Sequence, residues 1–262
     1  MEFSEQMFNR MAEASDPKAA IEEIRIYTNW VLVKTGAWSL STFFHGMPGF
    51  IEPLGMDTWM GDWIGRPGKD AALELLASRE TLKRSVGMAC LKSLLPEPGQ
   101  TVDGNAIDLV AHAAARVPTC FIGHFKTAAD WREQGYPVNI VELFPRPGDI
   151  HWNEADEVLA VAELVLMTGL TVVNETLEAV IRRTPKAKLR IIMGPTVPAS
   201  PVLFDYGIDL LGISQVDDVE LMSGYALLGG GSIAHAPAGA LKSLNMARDL
   251  KAVQNTLSAM AG

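Results

Sequence analysis

His124 follows Gly123 at the end of a short apolar run, PTCFIGHF (118–125), and Glu142 lies 19 residues beyond that glycine at the end of another, VNIVELF (138–144). Histidine titrates near neutral pH, so His124 is the expected general acid and base, with Glu142 the alternative. His151 comes after Pro147, Gly148 and Asp149 in the next loop. Together with His124 and Glu142, and with Asp149 beside them, it makes a candidate nitrogen–oxygen set for a transition-metal ion. The five histidines, at 45, 112, 124, 151 and 235, show no HxxxH or HExxH spacing, so ordinary hydrogen bonding or solvation competes with ligation.

A second stretch, LMTGLTVVNET (166–176), stops being apolar at Met167 and then resumes a helical pattern. Val173, Leu177, Val180 and Ile181 fall at i, i+4, i+7 and i+8, which predicts a helix from about Val172 with Thr171 as its cap. Thr168 and Gly169 then form a strand tip, and Thr171 and Asn174 share one face of the first turn. Free amides there suit a carboxylate, phosphate or phenolate. The alternative is that Thr171 caps and Asn174 bonds locally.

These residues need strands to carry them. PTCFIGHF, VNIVELF, AELVLMTG, KLRIIMGP and IDLLGIS are short branched runs, separated by helical stretches at 126–135, 154–162 and 172–183 and followed by one at 217–228. That alternation predicts an α/β fold with a mostly parallel, doubly wound sheet, in which ligands bind beyond the carboxyl ends of the strands. Three tips carry a glycine, Gly123, Gly169 and Gly194, and the last opens the turn Gly194, Pro195, Thr196. IGHF is not a GxGxxG loop, so a dinucleotide fingerprint is missing, although Glu142 stands where an acidic residue can hold a ribose. GGGS (229–232) follows a helix and reads as a helix stop and flexible turn.

Upstream, IRIYTNWVLV (24–33), the turn KTG and AWSLSTFF (37–44) read as a β-hairpin, and two helices follow, with Ser78 capping the run that contains Leu82, Val86, Ala89, Cys90 and Leu94. Between them, 55–68 is a loop rich in Gly, Met and Trp that either plugs a core or lines a cleft. PEPG (96–99) suggests a boundary, giving a small α+β domain over 1–96 and a Rossmann-like domain over 101–262.

Composition narrows the partners. The chain has 262 residues, 48% hydrophobic and 20% charged, with a net charge of -9. A basic face for nucleic acid is lacking, and no apolar run approaches the roughly 18 to 20 residues of a membrane helix, so the expected location is the cytoplasm. Cys90 and Cys120 show neither disulfide nor zinc spacing and read as buried thiols.

Five ordered motifs, Gly123-His124-Phe125, Glu142, TGLTVVNET (168–176), GPTVP (194–198) and LFDYGIDLLGISQVDD (203–218), resemble a prokaryotic family catalogued as a "putative heavy-metal chelation" domain. SVGMACLKSLL similarly resembles the second helix of that family's companion domain, which has an enolase-N-terminal-like fold. Residues 46–66 and the tail after about 236 fit less well. The resemblance implies a Rossmann-like domain with a cleft against the first domain, and a role in heavy-metal handling.

Three functions follow as expectations. One is an enzyme that makes or modifies a small metal-chelating compound in the cleft, with Gly123, Thr168, Gly169, Thr171, Asn174, Gly194, Pro195 and Thr196 binding the ligand. Another is a non-catalytic carrier of a metal or metal complex, using His124, Glu142, Asp149 and His151, or the softer Met56 and Met60. The third is a nucleotide- or S-adenosylmethionine-dependent transferase. The partner is a small molecule or metal complex in each case, and Trp59 and Trp63 leave a homo-oligomer open.

Overall fold

The computed structural model describes residues 2–52 and 59–262, so Met56 lies outside the described residues. The chain begins with α1 (Glu2–Ala12), which buries Met7, Phe8 and Met11 on one face. The expected hairpin is instead a three-stranded antiparallel meander: β1 (Glu23–Ile26), β2 (Trp30–Lys34) and β3 (Trp38–Thr42). The presumed single strand over 24–33 turns at its middle, where the Tyr27 amide donates to Trp30 O at 2.8 Å. Alternation along β2 then serves two cores at once. Val31 and Val33 face the helices of this domain, while Trp30 and Leu32 pack with Leu40 against Met222 and Ala226 from the second domain.

α2 (Gly68–Ala77) and α3 (Thr81–Leu94) complete the small domain. Ser78 does not cap α3 as expected. It ends α2 and accepts a hydrogen bond from the Glu80 amide, and Glu80 is the residue that precedes α3. Gly87 lets the two helices touch: a Cβ there would lie 2.8 Å from Leu75 Cβ. Of the described part of the Met/Trp loop, Met60 is buried in this core, Trp63 lies under the Arg66 guanidinium and Trp59 is 72% exposed.

The second domain holds β4 (Thr101–Asp103), α4 (Ala106–Ala114), β5 (Thr119–Ile122), α5 (Lys126–Glu133), β6 (Val138–Glu142), β7 (Ile150–His151) and α6 (Asp156–Val161). It continues with β8 (Leu164–Thr168), α7 (Leu170–Val173), α8 (Leu177–Arg183), β9 (Leu189–Gly194), α9 (Val202–Asp205), β10 (Leu210–Val216), α10 (Val219–Leu227), β11 (Leu241–Ala247) and α11 (Leu250–Ala261). Among the described residues these strands form one eight-stranded sheet, ordered β4-β11-β10-β9-β8-β5-β6-β7. The six strands from β10 to β7 are parallel, whereas β11 runs antiparallel to both β10 and β4. The chain lays down β5, β6 and β7 in one direction, then returns to the other side of β5 to lay down β8, β9 and β10. The strand order therefore reverses between β5 and β8, the switch point at which doubly wound sheets bind ligands.

Period-two alternation builds a layer on each face. In β8, Val165 and Met167 join the core shared with α6, α7, α8 and the first domain, while Leu164 and Leu166 join the core under α4, α5 and α11. Burial also pushes the thiols of Cys90 and Cys120 up to about 12, which leaves both as packing groups. No helix among the described residues is long and apolar enough to cross a membrane.

Candidate functional site

The predicted helix over 172–183 is broken in two, and the break shapes the site. α7 is a single turn that starts after Gly169, so Thr171 lies inside it and donates its hydroxyl to Thr168 O at 2.9 Å instead of capping. The amides expected to hold an anion are engaged by the protein itself. Gly169 N–H donates to Met193 O (2.9 Å) and Leu170 N–H to Thr168 Oγ1 (3.3 Å). Asn174 ends α7, and its Oδ1 accepts from both the amide (3.1 Å) and the hydroxyl (2.7 Å) of Thr176, an Asx-type turn. Glu175 between them has φ 64°, a left-handed conformation rare for a residue with a side chain.

Two helix α3 cations fasten this edge to the first domain. Arg84 is fully buried; its Nε donates to Val173 O at 2.7 Å, and its Nη2 stands 3.1 Å from Glu175 Oε1. Lys92 donates to Leu40 O at 2.6 Å and to Pro195 O. Thr196, 1% exposed, accepts the Thr42 amide and donates to Thr42 Oγ1, each at 3.0 Å. Thr196 thus joins the domains and borders neither chamber of the cleft between them.

Among the described residues, two chambers at the strand tips open between the domains. The larger, about 380 Å³, lies over β5, β8, β9 and β10 and includes His124, Asn105, Gly194, Pro195 and Ser214 in its walls. The smaller, about 280 Å³, lies over β5 and β6 and includes Gly123, Glu142, Thr171, Asn174, Phe144 and Trp152. Thr42, Thr168 and Leu170 border both chambers and form the sill between them. Gly169 borders neither: a Cβ there would lie 2.7 Å from the Val197 nitrogen, so this glycine is required by the close approach of the β8 and β9 tips.

The two expected acid–base residues consequently face different spaces. Gly123 ends β5 with φ 108°, which turns the chain so that the His124 amide donates to Glu142 Oε1 at 2.7 Å. The other Glu142 oxygen accepts the Leu143 amide at 3.0 Å. His124 Nδ1 lies 3.0 Å from Asp149 Oδ2, and a carboxylate can only accept, so Nδ1 carries a hydrogen and Nε2 is the nitrogen left facing away from the carboxylate. Asp149 has a fully buried side chain, and Arg132 reaches its other oxygen at 3.2 Å. Burial opposes the charge on Asp149, but hydrogen bonds from His124, the Arg146 amide and Arg132 outweigh it and keep the carboxyl below its ordinary range.

The proposed metal set is not assembled. His151 Nδ1 accepts the Asn153 amide at 3.2 Å, Glu142 is turned to backbone amides, and Asp149 is spent on His124 and Arg132. Among the described residues no three His, Cys, Asp or Glu side chains are grouped to hold a metal ion.

Another part of the site went unread in the sequence. The 229–232 turn is a wall: Gly231 and Ser232 border the larger chamber, and Trp30 Nε1 donates to Gly230 O at 2.6 Å from the opposite domain. Asn29 Nδ2 reaches Gly229 O and Gly230 O, and Tyr225 Oη donates to Ser232 O. A glycine run facing an indole N–H that must find an acceptor was the available signal.

Fold and site together define a two-domain protein with a cleft at the switch point of a doubly wound sheet. The sequence model of the DUF364 family, described as "Putative heavy-metal chelation", matches residues 105–245, more than half of the chain, and that of DUF4213, with the same description, matches residues 8–95. The chain belongs to this family. It is similar in fold to a DUF364 protein of unknown function from Desulfitobacterium hafniense DCB-2, with a TM-score of 0.80 over 95% of this chain and 100% of that one at 18% identity. A second such protein, from Pyrococcus horikoshii, gives 0.70 over 93% and 99% at 16% identity. An uncharacterized protein of Methanocaldococcus jannaschii is 37% identical over 59 residues, which are 22% of this chain and 23% of that protein.

Proposed function

We propose that the protein handles a small metal-chelating molecule in the larger chamber and that His124 is the acid–base residue acting on it. The observation that carries this reading is the chain His124–Asp149–Arg132, with the imidazole at the cavity wall and the carboxylate buried behind it. Such a carboxylate fixes the tautomer and stabilises the imidazolium that forms when Nε2 accepts a proton. Chelating groups bind metal in deprotonated form, so a fixed proton acceptor assists loading and its conjugate acid assists release. The metal is cargo here. With no cluster of ligating side chains among the described residues, a metal arriving at His124 would bring most of its donors with it.

The test is a thermal-shift and calorimetric panel of Zn²⁺ and Ni²⁺, each alone and as its citrate, histidine or catecholate complex. A ligand that binds only the folded state raises apparent stability. At least one complex is expected to bind, with bare ions weaker, and His124→Ala to lose that binding. Asp149→Asn, which changes which imidazole nitrogen carries the hydrogen, is expected to alter its pH dependence. Tight binding of bare ions that depends on His124 would replace this reading with the metal carrier.

A further inference from the structure

The smaller chamber is not used by the His124 chemistry, yet it is formed by side chains of defined type. Phe43, Phe144 and Trp152 supply flat apolar surface, and Phe144 remains 58% exposed at its lip. Glu142 can accept about four hydrogen bonds, and backbone amides take two. Asn174 is only 8% exposed, and among the described residues the hydrogen-bond partner of its amide nitrogen is Met47 Sδ at 3.8 Å, a weak acceptor. An amide donor at the chamber wall with so weak a protein partner keeps its hydrogens available to read the polar edge of a ligand.

The topology says what such a chamber suits. It lies over β5 and β6 beside the switch point, and Glu142 at the second strand tip stands where doubly wound sheets place the acceptor of ribose hydroxyls. The phosphate-holding part of such sites has a different fate here. Gly123 N–H is given to Val141 O (3.0 Å) and His124 N–H to Glu142. A diphosphate at this turn would find both amides taken and a carboxylate in its place, which disfavours an anion.

We propose that the smaller chamber is a subsite for a nucleoside without a diphosphate: the base between the aromatic walls with its edge at Asn174, the ribose diol on Glu142, and a neutral or cationic 5′ substituent passing over Thr168 towards His124. The subsite is separate from the chelate chamber and stands whether or not that reading holds.

Calorimetry on the full chain with adenosine, S-adenosylmethionine, ATP and NAD⁺ tests it. Adenosine and S-adenosylmethionine should bind at least tenfold tighter than ATP or NAD⁺. Glu142→Gln should weaken adenosine about tenfold and shrink the difference between adenosine and 2′-deoxyadenosine. Asn174→Ala, a second variant, should weaken the base without changing that difference. The proposal is overturned if no nucleoside binds the wild type at millimolar concentration, if ATP or NAD⁺ binds as tightly as adenosine, or if both folded variants bind like wild type. Chelate binding with no nucleoside binding would sink this proposal alone; the reverse would sink only the chelate reading.

Discussion

Arg84 and Lys92 lie eight residues apart on α3, and both cross the domain boundary to donate hydrogen bonds to backbone carbonyls. They differ in what else surrounds them. Arg84 faces the Glu175 carboxylate and keeps its charge, although burial lowers its pKa against the pull of that partner. Lys92 meets carbonyl oxygens among the described residues, and burial pulls its ammonium down to about 7. The same helix thus clamps the second domain once with a permanent charge and once with a titratable one. The permanent clamp holds the strained turn after α7, and the titratable one holds the β9 tip.

The largest expected effect is on the Arg84 side. Arg84→Met strands Val173 O and Leu76 O and leaves Glu175 with the more distant Arg79 at 4.0 Å, and should cost about 3 to 5 kcal/mol in denaturant unfolding. A loss under about 1 kcal/mol would show that the clamp does not bear on stability. Arg84→Lys keeps the charge without the planar fork and should fall between wild type and Arg84→Met, at about 1 to 3 kcal/mol.

Lys92→Met should cost less, about 1 to 2 kcal/mol, and its signature is in pH. The folded value of about 7 lies below the ordinary 10.5, so between these values the unfolded chain binds more protons. Wild-type stability should therefore gain from this residue as pH rises from about 7 towards 10.5, and lose that gain as pH falls. Unfolding curves at pH 7 and pH 9 should show the gap between wild type and Lys92→Met widening; a constant gap would mean the amine does not titrate in that window. Smallest is Thr196→Val, which removes the paired bonds to Thr42 at about 1 kcal/mol by chemical denaturation.

Legibility in the sequence was uneven for reasons visible in individual residues. The five central strands were readable because parallel strands buried on both faces are continuous branched runs such as LVLM in β8. β11 and β4 were missed: β11 carries Lys242 and Ser243 on its exposed part, so its apolar signal is diluted. α11 was readable in principle, with Asp249 capping onto the Ala252 amide and Val253, Leu257 and Met260 at i, i+4 and i+7. Local periodicity ran one helix across Asn174 and Glu175 because it sees spacing, not the Arg84 grip from a distant helix that holds the break open. In the site, the types and strand-tip positions of His124 and Glu142 were legible, but their separation into two chambers depends on the Gly123 turn and the register of β5 with β6. Asp149 was visible as a possible metal ligand; its pairing with His124 needed the fold.

The bond from Trp30 to Gly230 carries a kinetic meaning. The wall of the larger chamber is made by the second domain yet suspended from the first, so the cleft cannot widen by parting its halves while that bond is made. Widening it there would break the indole bond together with the Asn29 contacts to the same turn. Residence time, more than affinity, is the quantity that a substitution at Trp30 would change.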